Sequence, residues 1–218
     1  MFGCIRRLGC LVILLAIAGG AYMYMNGWRP LGTAAAPKAT TVARPMWEPI
    51  TALNAERGKR QVESLRDSRG PVYANLTGAE AASYIFLSAA RQLPKGAENA
   101  KASVQGNELV VRAEVPLAEF GAKKVLGPLA GILGDKDTLL LGGHINVVQP
   151  GLGEFVVTRL KVGKLTVPSP LIPRLISEIR RGERPVGVAP NALPMPVPEF
   201  ISDVRIANGR ITVYKNAP

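Results

Sequence analysis

Leu8 to Met25 reads LGCLVILLAIAGGAYMYM, eighteen residues without a charge. As a helix at 1.5 Å per residue this run spans about 27 Å, close to the roughly 30 Å hydrocarbon thickness of a bilayer. It predicts a membrane-targeting segment, so the rest of the chain must build its core without it. Arg6 and Arg7 precede the run, and Tyr22, Tyr24 and Trp28 follow its apolar centre, where aromatic rings favour the headgroup region. A short basic N-tail stays inside and sends the following domain out. The expectation is a single-pass protein of the cytoplasmic membrane with its domain on the extracytoplasmic side. Ala16-Ile17-Ala18 supports the competing reading of a cleaved signal peptide. Residues 1–28 form this segment, 29–45 (RPLGTAAAPKATTVARP) a linker without periodicity, and 46–218 one extracytoplasmic domain.

The net charge of +11 raises a nucleic-acid reading. The distribution argues against it: residues 70–218 hold 17 basic and 12 acidic side chains, and the densest basic clusters are pairs. Diffuse positive charge serves solubility, or a surface of anionic headgroups, equally well. Both cysteines, Cys4 and Cys10, lie in or beside the apolar run. The domain therefore has neither a disulfide nor a cysteine–metal site.

Within the domain, Met46–Arg69 carries a thin apolar stripe of Trp47, Ile50, Leu53 and Leu65 and reads as a surface helix. Thr77-Gly-Ala-Glu80 matches a capping box, in which hydroxyl and carboxylate each satisfy a free backbone N–H. The helix that follows, Ala79–Leu93, is apolar nearly all round and so is expected to be buried. Ala102–Gln105 and Glu108–Pro116 flank Gly106-Asn107, a two-residue hairpin turn. Leu109, Val111, Ala113 and Val115 alternate with Arg112 and Glu114; one wet face implies an antiparallel sheet. Phe120–Leu133 reads as a short amphipathic stretch. Thr138–Val148 and Glu154–Val167 form a second hairpin, and Ser169-Pro170 opens a helix with Leu171, Ile172, Leu175, Ile176 and Ile179 on one face. Residues 185–198 hold five prolines and read as an extended connector. Asn208-Gly209 joins Phe200–Ala207 to Arg210–Lys215 as a last hairpin.

Little in the domain looks catalytic. His144 is the single histidine, sits in a strand and has no second histidine or cysteine to share a metal. Ser103, His144 and Asp203 make a triad only on paper, because no nucleophile-elbow motif surrounds a serine. Asp135-Lys-Asp137 reads as a solvated turn. Gly151-Leu-Gly153 lacks the third glycine and the helix of a dinucleotide fingerprint. Asn75-Leu-Thr77 matches a glycosylation sequon. No enzyme activity, cofactor, metal or nucleic-acid partner is expected.

One passage is familiar. Thr158–Ile176, TRLKVGKLTVPSPLIPRLI, resembles the strand, Val-Gly-x-Leu-x-Val-Pro, Leu/Ile-rich helix passage of the YpmS-like family of bacterial single-pass envelope proteins. The layout is similar too: anchor, then the Leu76–Glu80 helix start, then the strand Glu108–Pro116. The end, EFISDVRIANGRITVY, resembles the closing hairpin of that family and of the TULIP-like lipid-binding envelope proteins. The resemblance implies a role in envelope or lipid handling and supplies no catalytic residues.

These readings combine into an α+β domain: a curved antiparallel sheet of five or six strands with two apolar helices on its concave face. The expected function is non-enzymatic binding of a lipid or another apolar ligand; the alternative is a scaffold for an envelope-complex protein. The expected pocket walls are Tyr84, Ile85 and Leu87 of the first helix, Leu171, Leu175 and Ile179 of the second, and Val111 and Val157 of the strands. The proline-rich connector would border the mouth. The competing reading is that these eight residues close a dry core.

Overall fold

The computed structural model describes residues 46–89, 97–117, 134–180 and 182–216. The membrane-targeting segment, the linker and the stretch Phe120–Leu133 lie outside the described residues. Among the described residues no helix is long and apolar enough to cross a membrane.

The domain is α+β, and all its described strand pairs are antiparallel. After a short strand β1 (Glu48–Pro49), Thr51 caps helix α1 (Ala52–Glu63) by accepting from the Asn54 N–H at 3.2 Å. β2 (Tyr73–Leu76) leads into α2 (Gly78–Ser83), where both bonds of the expected capping box form. The chain then widens into a π-helical turn, Tyr84–Ala89. β3 (Glu98–Gln105), β4 (Glu108–Pro116), β5 (Lys136–Gln149) and β6 (Leu152–Val162) form a meander. β7 (Leu165–Thr166), a 3-10 turn (Ser169–Leu171) and α3 (Ile172–Ile179) follow. β8 (Ala192–Pro196), β9 (Ile201–Ala207) and β10 (Arg210–Lys215) complete the order.

The strands make two sheets, not the single sheet of five or six expected from sequence. A seven-stranded sheet runs β1-β3-β4-β5-β6-β7, with β8 also on β6; a three-stranded sheet runs β2-β10-β9. The closing hairpin turns as its Asn-Gly demands, with Asn208 at φ 52° and Gly209 at φ 77°. It pairs with β2 instead of extending the meander, and β9 packs against β5. Two further expectations need correction. Glu154–Val167 is not one strand: Gly163, at φ 57°, breaks it into β6 and β7, and its missing side chain makes room for the Asp137 carboxylate. The proline-rich stretch contributes a strand, because β8 is an edge, where a proline costs no ladder bond on its open side.

The core follows the alternation of β4: Leu109, Val111, Ala113 and Val115 are buried with Phe155, Val157 and Leu160 of β6. α2 packs over β3 and β4, and α3 over β6 and β8, both into this one cluster. The stripe expected on the first helix is met only in part: Leu65, just beyond the end of α1, is 1% exposed, and Ile50, before its start, packs partly buried against the core. Leu53 is 60% exposed, and the buried face is Ala55, Gly58 and Val62. Gly58 lets α1 lie close on α2, since a Cβ there would stand 2.6 Å from the Glu80 carbonyl oxygen. The Thr51 N–H also donates to the buried Ser83 Oγ at 3.1 Å, tying the two helices together.

The opposite face of the large sheet is partly covered as well. Val156 packs there with Val188 and Ala192. Glu154, only 6% exposed, holds the covering segment by accepting from the Ala189 N–H at 2.7 Å. Between Gly142 and Gly143 the register of β5 on β6 shifts, placing Thr158 and Arg159 side by side on this face. Thr158 Oγ1 donates to the Gly142 carbonyl and to Glu108, and Arg159 Nη2 to Glu108 at 2.8 Å.

Candidate functional site: an apolar cavity between the two sheets

Where the small sheet meets the large one, an apolar cavity of about 50 Å³ remains. Its floor is Ile145 of β5 with Leu76, Ile211 and Val213 of the small sheet. Val62 of α1 and Ala81, Tyr84 and Ile85 of α2 and the π-helical turn form one wall. The rim is Met195, Pro196, Val197 and Pro198, then Ile201 and Val204 of β9. Strand alternation explains the lining: Ile211 and Val213 are the buried residues of β10, while Arg210 is exposed.

Two features of the wall follow from backbone chemistry. A π-helical turn is rare and recurs at functional sites; here it carries Tyr84 and Ile85 into the cavity wall. Pro196 and Pro198 at the rim have no N–H to donate, which leaves that border with fewer ladder bonds. The Tyr84 phenol titrates above its ordinary range, first through burial and then through the Glu63 carboxylate nearby. Among the described residues it is the one titratable side chain in the lining, so the cavity offers no acid–base pair.

The eight residues expected at a pocket are not all in one place. Tyr84 and Ile85 line the cavity. Leu87, on the same turn, is half-buried and outside the lining. Val111, Val157 and Leu175 are buried in the main core, with Leu171 and Ile179 packed partly buried against it. These six do not line the cavity. The reason is topological. α3 sits on β6 and β8, whereas the cavity lies where the small sheet abuts β5. Replacing Leu175, 2% exposed, by Trp therefore forces extra volume into a filled core. It is expected to cost about 1–3 kcal/mol by denaturant unfolding; an unchanged midpoint would show that space exists there.

The residues weighed for catalysis are dispersed. His144 is half-buried opposite Val156, Ser103 is 3% exposed on β3, and Asp203 on β9 pairs with Arg205 at 2.7 Å. No hydrogen bond joins the three among the described residues. Asp137 is not in the solvated turn expected: it is half-buried within β5, paired with Val115, and accepts from the Thr138 N–H at 2.8 Å. Asn75 is exposed and accepts from Thr212 Oγ1 at 2.9 Å. Among the described residues no three His, Cys, Asp or Glu side chains are grouped to hold a metal.

The lining residues that sequence patterns do not single out are those of α1, β5 and the small sheet. Their one signal is the alternation of Ile211 and Val213 in the closing hairpin. The four-residue β2, which that hairpin pairs with, gives no such signal. Comparison with known proteins returned no matching family model, no matching curated protein and no matching solved structure.

Proposed function

We propose that this is a membrane-anchored, extracytoplasmic, non-enzymatic protein that binds a lipid chain or another apolar ligand at the seam between its sheets. In this reading the two apolar helices cover the concave side of a curved sheet, and residues 8–25 hold the domain at the membrane. The observation that carries the reading is the cavity lining: Val, Leu, Ile, Ala, Met and Pro side chains around one tyrosine, with no charged group among the described residues. Ligand pockets are built of apolar walls with few polar groups.

The cavity holds about 50 Å³. An engineered apolar cavity that binds benzene is roughly 150 Å³, so in this reading a chain enters as the rim parts. The proline rim and the π-helical turn are the segments this reading assigns to that opening. Filling the rim tests it. Val204, half-buried at the border, is replaced by Phe, and lipid is extracted from the purified full chain. The amount recovered is expected to fall roughly tenfold, a loss of about 1.4 kcal/mol in binding. The exposed-site control Val72→Phe, at a residue 61% exposed, should recover the wild-type amount. Equal recovery from both variants would contradict the reading.

A further inference from the structure

A second concavity lies on the polar face of the large sheet. It is a cleft of about 360 Å³ lined by Asn99, Lys101, Arg112, Ala113, Glu114 and Thr138. A bulge creates it. Between the pairs Glu98–Glu114 and Lys101–Arg112, β3 has two residues where β4 has one, and Asn99 takes a left-handed φ of 52°. Bulges re-aim side chains and recur beside functional sites.

The register sets Lys101 directly across from Arg112. Like charges in that position destabilise a sheet. A second like pair, Glu98 opposite Glu114, is relieved by Lys136, 3.0 Å from Glu98. Nothing equivalent relieves Lys101 and Arg112: among the described residues neither forms an ion pair with a carboxylate. Arg112 instead lies over the Trp47 ring, 4.3 Å from its centroid. That stacking holds the guanidinium flat and leaves its donor edge free. Asn99 and Thr138 add an amide and a hydroxyl. Glu114, also in the lining, is placed to take a positive group on the same ligand.

We propose that this cleft binds a phosphate-bearing ligand, with Lys101 and Arg112 on the phosphate, Asn99 and Thr138 completing its hydrogen bonds, and Glu114 receiving an ammonium where the ligand has one. Guanidinium and ammonium groups converging on phosphate form charge-assisted bonds, and the anion removes the repulsion across the β3–β4 pair. This site stands apart from the apolar cavity and does not depend on the reading given to it.

Trp47 supplies the readout. The chain has two tryptophans, so a Trp28→Phe background isolates the ring beneath Arg112. Full chain in nonionic detergent and phosphate-free buffer is titrated with glycerophosphoethanolamine and, separately, with inorganic phosphate. Saturable change in Trp47 emission is expected, weakened at least tenfold in Lys101→Gln and in Arg112→Gln. Lys101→Gln leaves the Trp47 stack intact and so separates binding from local packing. Tighter binding of glycerophosphoethanolamine, lost in Glu114→Gln, assigns the ligand to a lipid headgroup; equal binding of both assigns it to free phosphate. No saturable binding of either, or affinity unchanged in Lys101→Gln, overturns the proposal.

Discussion

Replacing Gly143 by Ala is expected to cost the domain about 3 kcal/mol or more, although it adds a single methyl group. Gly143 sits at the register shift of β5 on β6. A Cβ there would collide with the Val156 carbonyl oxygen, stand 2.9 Å from the carbonyl carbon and lie 3.2 Å from Phe155 Cζ. The first two are backbone atoms of the neighbouring strand, so relief requires the two longest strands to part. Overpacking usually costs about 1–3 kcal/mol; a collision with ladder backbone belongs at or above the top of that range, against a total stability of roughly 5–15 kcal/mol for a domain. Gly106→Ala is the matched control. Gly106 has positive φ, 62°, but nothing lies within 4 Å of its added Cβ. That variant bears only the left-handed conformational cost, roughly 1–2 kcal/mol. Denaturant midpoints for the two variants decide the matter, and equal losses would remove the steric argument.

The second large effect is expected from Phe155→Ala, at about 3–5 kcal/mol. Phe155 is 2% exposed, pairs with Ile145 of β5 and Leu193 of β8, and is the largest of the fully or nearly fully buried side chains. Its ring edge lies 3.2 Å from where a Gly143 Cβ would stand, so the two positions are packed against one another. Truncation leaves a cavity that the strands on either side cannot close, because both are held in register by ladder bonds. The double variant separates ring from backbone. Removing Phe155 relieves the contact to Cζ but not the collision with Val156. Gly143→Ala should therefore remain severely destabilising in the Phe155→Ala background. Full rescue there would mean that the ring, not the carbonyl, sets the requirement for glycine.

Several elements are legible in the sequence because their chemistry is local. Thr77 and Glu80 form both bonds of the capping box, and that motif is satisfied within four residues. The β3–β4 hairpin turns at Gly106-Asn107 and ends at Pro116, as its sequence predicts. Its turn and its alternation are again local. What is not legible depends on approach between distant segments. Gly58 looks like a helix weakness in sequence and is instead the contact point with the Glu80 backbone. β2 is hidden because four residues give too short an alternation, and without it the closing hairpin has no partner but the meander. The candidate site is the least legible. Tyr84 and Ile85 can be picked out because they belong to an apolar helix. Val62, Ile145 and Met195 meet them only through the packing of β9 on β5, which no spacing encodes. Leu171, Leu175 and Ile179 do share a face, as helical spacing requires, but that face closes the main core.

The cavity between the sheets is apolar and small. A cavity of about 50 Å³ that merely closes a core binds nothing. One that opens at its proline rim holds a chain tightly enough to survive purification. Native mass spectrometry of the full chain, released from detergent in the gas phase, distinguishes the two directly. A species one lipid heavier than the bare protein is expected, retained at energies that strip detergent and absent from Val204→Phe. Bare protein mass alone, from wild type extracted under the mildest conditions, would contradict the proposed binding.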